Sequence, residues 1–235
     1  MKHTLLIKDW LSSFLSLLFP HCCVVCGRPL AKGEECICTV CNINLPRTNY
    51  HLRKDNPVER LFWGQIPLER ATSFFFYEKG SDFRLILHRL KYGGQKEIGA
   101  IMGRYMAAEL LSSHFFQGID VIIPIPLHKK KQQIRGYNQS EWIARGIAAV
   151  TGIPIDTESI LRKKNTETQT RKSVFERRDN VEGIFELQHP ETLAGKHILI
   201  VDDVLTTGST TLACASCLVN VEGIRISILT LAMVE

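Results

Sequence analysis

The chain has 235 residues, 45% of them hydrophobic and 23% charged, with a formal charge of +5. That length suits one full-sized domain with a small appendage, and the aliphatic content excludes disorder for the bulk of the chain. The most apolar N-terminal stretch, residues 4–19, carries Lys8 and Asp9. It falls short of the roughly twenty apolar residues a bilayer crossing needs.

The same stretch lacks a small-x-small cleavage site, so it does not read as a signal peptide. Leu6, Trp10, Phe14, Leu17 and Leu18 recur at helical spacing, which predicts an amphipathic helix within residues 1–20. Packing on the protein itself is the first reading of that face, and docking on a membrane surface or partner the second. The expected location is the cytoplasm, with peripheral attachment at the inner membrane open.

Six of the eight cysteines fall between positions 22 and 41, which in a cytosolic chain argues for metal rather than disulfides. Cys23 with Cys26 and Cys38 with Cys41 form two C-x-x-C pairs, able to supply the tetrahedral thiolate shell that suits structural zinc. Gly27 fits the sharp turn after the first pair. The competing reading is a redox pair or unliganded thiols, and Cys22 and Cys36 leave the ligand assignment open. The expected zinc module covers 21–48. Cys214 and Cys217 make a third such pair within an apolar helical pattern and read as core.

Residues 45–60, with Pro46, Asn49, Asn56 and Pro57, read as a linker, and a main domain is expected over 61–235. A strand is predicted over 71–77. Helices follow over 82–92 and 97 to about 112, separated by the turn Lys91-Tyr92-Gly93-Gly94 with its basic first residue. Beyond position 118 strands and helices alternate. Strands are predicted over 121–126, 153–161, 181–187, 197–201 and 224–232, and helices over 140–150, capped by Ser140, and 209–219. Apolar strands joined by helical crossovers imply an α/β fold with a largely parallel sheet covered on both faces.

The richest segment is ILIVDDVLTTGST at 198–210. An apolar strand there ends at Asp202 and Asp203, and a loop of small, hydroxyl-bearing residues leads into a helix. Ligands of open α/β sheets bind beyond the carboxyl ends of the strands. A helix start with Thr206, Thr207, Gly208, Ser209 and Thr210 offers free N–H groups, hydroxyls and the positive end of the dipole to an anion. The inference is a phosphate beside a group that two acids can hydrogen-bond, such as a sugar diol. No Walker A loop is present.

The segment resembles the phosphoribosyl-pyrophosphate (PRPP) motif of type I phosphoribosyltransferases. More narrowly the chain resembles the ComF family of competence proteins. The resemblance rests on CVVCGRP (23–29), CTVC (38–41), IPIPLH (123–128), RGYNQ (135–139), TQ (168–169), RDNV (178–181) and the 198–210 segment. It implies a type I phosphoribosyltransferase-like fold with a zinc module. It also implies PRPP bound with Mg²⁺: Asp202 and Asp203 hold the ribose as the residues of catalysis, and 206–210 hold the 5′-phosphate. The turn after the 121–126 strand, with Arg135, would face pyrophosphate, and the stretch from Arg162 to 178, with Lys163 and Arg171, would be a closing loop.

Between Pro124 and Asn180 twelve cations stand against six acids, so this quarter carries +6. A solvated basic face is the plain reading; a polyphosphate or nucleic-acid contact is the sharper one. If the site is catalytic, the step would be displacement at the anomeric carbon, with Arg162, Lys163 and Arg171 neutralising the leaving pyrophosphate. No residue presents itself as a nucleophile, and Lys2 behind Met1 gives no support to glutamine-dependent chemistry. Three functions compete. The first is a competence-type factor that handles incoming single-stranded DNA beside uptake machinery at the inner membrane. The second is an active phosphoribosyltransferase with a nitrogenous acceptor. The third is a PRPP-sensing binding protein. Phe74, Phe75, Phe76 and Tyr77 are candidate base-stacking residues, although strand alternation should bury half of them.

Overall fold

The computed structural model describes residues 21–163 and 183–234. The helix expected within 1–20 lies outside these, as do Thr168, Gln169, Arg171 and the 178–181 motif.

The centre is a parallel sheet in the order β1-β6-β5-β2. Its strands are β1 (Leu68–Tyr77), β2 (Val121–Pro124), β5 (His197–Leu205) and β6 (Arg225–Val234). The runs VIIP, HILIV and ISILTLA are apolar almost without alternation, which is the pattern of strands buried on both faces. One face packs against α3 (Arg84–Tyr92), α4 (Glu97–Leu110) and α6 (Gln139–Thr151), meeting Leu199, Val201, Leu229 and Leu231. The opposite face, with Ile198, Ile200, Ile226 and Ile228, packs against α2 (Pro57–Arg60), α7 (Ser209–Ser216) and the small antiparallel pair β3 (Ile160–Arg162) and β4 (Phe185–Leu187). The expected α/β architecture is present.

Several boundaries differ from the sequence reading, each for a local reason. Residues 153–161 do not form one strand. Ile155 makes a single parallel bridge to Ile122, after which Asp156 Oδ1 accepts the N–H groups of Glu158 and Ser159 and turns the chain before β3 begins. Asn138, not Ser140, caps α6, accepting Ser140 N–H at 3.2 Å. β5 continues through Asp202 and Asp203 rather than ending before them, because Asp202 stays in register with Thr230.

The segment expected as a linker packs along the free edge of β1. Phe76 N–H donates to Pro46 O and Thr48 N–H to Phe74 O, and Arg47 pairs antiparallel with Phe75. Asn56 accepts from Val58 and Glu59 N–H groups and donates to Ala71 O at 2.9 Å, so one buried amide caps α2 and ties it to β1. An exposed strand edge is thereby covered.

α4 and α6 cross at glycines. A Cβ built on Gly146 would overlap Ala100 O and lie 2.9 Å from Ala100 C and Arg104 N; one on Gly103 would overlap Ile143 O. Backbone meets backbone here, and this close approach sets where the start of α6 lies over the sheet.

Candidate sugar-phosphate site and cysteine cluster

At the carboxyl end of β5, neighbouring positions alternate in direction, and the two acids meet different partners. Asp203 is 7% exposed and its Oδ1 lies 3.0 Å from Lys91 Nζ, at the end of α3. Asp202 Oδ1 accepts Ser140 Oγ–H at 2.9 Å and Asp203 N–H at 2.9 Å. Burial pushes the Asp202 carboxyl up to about 7; the charge on Asp203 adds to the rise, while the two hydrogen bonds and Lys91 oppose it. A carboxyl group so shifted, beside a second acid at the carboxyl end of a strand, makes this a candidate site.

The loop after β5 turns at Gly208, whose φ of +74° is left-handed, and the Phe62 ring lies 3.3 Å from where a Cβ would be. Glycine meets both demands without strain. Ser209 then opens α7, Thr206, Thr207 and Thr210 are exposed, and the hydroxyls of Thr207 and Ser209 are 2.8 Å apart. This is the hydroxyl-lined helix start that the sequence predicts.

The RGYNQ residues surround the start of α6. Arg135 ends α5 (Lys129–Arg135) and donates to Gln139 Oε1 at 2.9 Å. The other end of that amide, Gln139 Nε2, is buried with no hydrogen-bond partner among the described residues. Asn138 donates to Ile125 O at 3.0 Å, and Tyr137 O–H to Leu90 O at 2.5 Å. Arg162 sits in β3 over the Phe185 ring at 5.3 Å, its pKa lowered by burial and supported by Asp202. Lys163 pairs with Glu186 at 2.6 Å. A cavity of about 500 Å³ opens between these two arms, with Pro126, His128, Asn138, Ile160 and Arg162 among its lining residues.

The structure thus brings Asp202, Asp203 and 206–210 to one end of the sheet. Arg135 engages Gln139 and a tyrosine ring, and Arg162 and Lys163 flank the cavity; Arg171 lies outside the described residues. Sequence reasoning missed Lys91, Ser140 and the buried Gln139 amide. The basic residue at the 91–94 turn was the one available signal for Lys91.

The sulfurs of Cys23, Cys26, Cys38 and Cys41 all lie within 4.8 Å of one another, and Cys26 and Cys38 are 3.7 Å apart. Four sulfurs each ~2.3 Å from one zinc ion would sit ~3.8 Å from each other, so the donor set fits a closed structural metal site. Cys22 is exposed, and Cys36 packs against Met102; neither belongs to the cluster. Arg28 donates to Cys26 Sγ at 3.4 Å, and that contact draws the Cys26 thiol down to about 6. The cluster packs onto the main domain: Cys23, Ile37 and Cys41, the last on α1 (Thr39–Ile43), share one apolar cluster with Phe74, Met102 and Met106.

The phosphoribosyl transferase domain profile matches residues 139–234. DNA utilization protein YhgH of Escherichia coli O157:H7 is 32% identical over 209 residues, covering 83% of this chain and 88% of that protein. Competence protein F of Haemophilus influenzae is 32% identical over 130 residues, 54% of this chain and 57% of that one. Competence protein ComFC of Bacillus subtilis is 24% identical over 212 residues, 88% of this chain and 75% of that one. Among the described residues no helix is long and apolar enough to cross a membrane.

Proposed function

This chain belongs to the family of DNA utilization and competence proteins that carry a phosphoribosyltransferase domain, and from that premise we propose that it binds PRPP and serves in handling single-stranded DNA. The observation that carries the PRPP reading is the conjunction at the end of β5: two acids with separate partners beside a hydroxyl-lined, glycine-turned helix start. On this reading Asp202 and Asp203 hold the ribose diol and residues 206–210 the 5′-phosphate.

The carboxylate oxygens of Asp202 and Asp203 suit Mg²⁺, which when bound beside a diphosphate offsets its charge. The chain's own part is to position. Ser140 orients Asp202 and Lys91 compensates Asp203 until the ligand arrives. The four cysteines hold zinc as a structural ion. Placement beside uptake machinery at the inner membrane belongs to the same proposal.

Calorimetry with PRPP and Mg²⁺ tests the site. The pair Asp202→Asn/Asp203→Asn is expected to bind at least about tenfold more weakly, ~1.4 kcal/mol, and equal affinity would overturn the assignment. The cavity between the Pro126 turn and β3–β4 favours a second reading, an active transferase, because it leaves room for an acceptor next to the pyrophosphate turn. Release of pyrophosphate from PRPP with a panel of nitrogenous bases would establish it, and no release with any base would leave binding as the function.

A further inference from the structure

Of the aromatic residues that sequence reasoning offered for stacking, Phe74 and Phe75 are buried in the sheet, and Phe76 and Tyr77 are only partly exposed, Phe76 lying edge-on to Tyr50 at 5.8 Å. A different set is exposed beside the sugar-phosphate site. Tyr92, at the end of α3, is 69% exposed. The Arg135 guanidinium lies over its ring at 5.4 Å, and the His88 ring is 5.3 Å away. Ile134, next to Arg135 on α5, is 85% exposed. A second aromatic, Trp142 on α6, carries Lys96 at 4.7 Å and Arg145 at 5.0 Å from its ring centre.

The two groups stand on helices that pack against one another. Leu90 of α3 accepts from Tyr137 before α6, and Gly99 of α4 lies between Leu90 and Trp142. Lys91 and Ser140, which touch Asp203 and Asp202, sit one and two residues from Tyr92 and Trp142. Among the described residues Arg89, Lys96, Lys129 and Lys130 have no carboxylate partner, whereas Arg145 is paired with Glu141. The other acids of this region are Glu97, in the first turn of α4, and Asp202 and Asp203.

We propose that this strip, with Tyr92 as its stacking platform and Arg89, Lys96, Lys129, Lys130 and Arg145 as its backbone contacts, is the track on which single-stranded DNA lies. An exposed ring set among cations, most of them without a carboxylate partner, is what such a strand requires: every base has a face that can stack, and every phosphate needs a counter-charge. The proposal rests on the DNA-handling reading above and gives it a location. A duplex, whose bases are already stacked, would use only the cations.

The test is fluorescence anisotropy of a labelled oligo-dT strand against the full chain at ~50 and ~200 mM salt, with a duplex of equal length alongside. Tyr92→Ala is expected to weaken binding of the single strand about tenfold and to leave the duplex unchanged. Tyr92→Phe, which keeps the ring, should stay within about twofold. Lys96→Gln should reduce the slope of log affinity against log salt by about 0.7, the loss of one phosphate contact on a single strand. If the wild type binds no single strand, the DNA-handling reading fails and the track with it. If the wild type binds while Tyr92→Ala and Lys96→Gln behave like it, only the track is overturned. A loss in Tyr92→Phe as large as in Tyr92→Ala would also refute stacking.

Discussion

Replacing Gly146 by alanine puts a methyl group where α6 touches the backbone of α4. Carbon atoms rest ~3.5–4.0 Å apart, and the new Cβ would lie 2.9 Å from Ala100 C while overlapping Ala100 O. No side chain can swing away to relieve this, so the helices must part by more than about 0.5 Å. Overpacking costs about 1–3 kcal/mol, and a backbone collision belongs at the upper end. Alanine recovers about 1 kcal/mol of helix propensity over glycine, leaving a net loss of about 2 kcal/mol. For a chain of this size that is a fall of roughly 4–8 °C in melting temperature, measurable by calorimetry. Because Ser140 and Asn138 stand at the start of the same helix, PRPP affinity should fall too. Gly103→Ala collides at the same crossing, with Ile143 O, so the double variant should lose less than the two single losses added together. A Gly146→Ala protein as stable as the wild type would show that the crossing is not tight and refute the reasoning.

Two effects of pH and one of metal removal follow. Asp202 has a folded pKa of about 7, above its ordinary value, so the native state holds a proton that the unfolded chain releases. Its contribution to stability is present in acid and lost as pH rises through 7. Asp202→Asn should therefore flatten the decline in melting temperature between pH 5 and 8 while weakening PRPP binding; an unchanged slope would contradict the shift. PRPP affinity in the wild type should rise over the same interval as the carboxylate ionises, and calorimetry at three pH values would show whether it does. Removing metal with a chelator should expose residues 21–45 to proteolysis before the sheet domain, and unchanged resistance there would argue against a structural ion.

The parts legible from sequence were those whose cause is local. The acids, the threonines and Gly208 lie within one strand–turn–helix, and the paired cysteines within two short turns, so spacing alone brought them together. The strand order and the small β3–β4 pair were not legible, because register is fixed by partners far along the chain. Ser140 was read as a cap because its residue type suits one. Asn138 takes that role, freeing Ser140 for a carboxylate 62 residues away. Lys91 was visible as a basic turn residue, but its partner emerged only once α3 lay beside β5. Residues 45–60 looked like a linker because they are polar; the buried Asn56 and Thr48 spend that polarity on β1 carbonyls.

The sharing of one apolar interior by the cysteine turns and the α4 side of the sheet restricts how this molecule can be divided. Cutting between positions 48 and 61 would strip the cover from Phe74 and Phe75 and leave Ile37 facing water. Neither fragment would inherit a finished surface. Evolutionary shuffling of the metal-binding turns onto another scaffold would have to carry a matching apolar face with them, so the two halves are expected to travel through descent together.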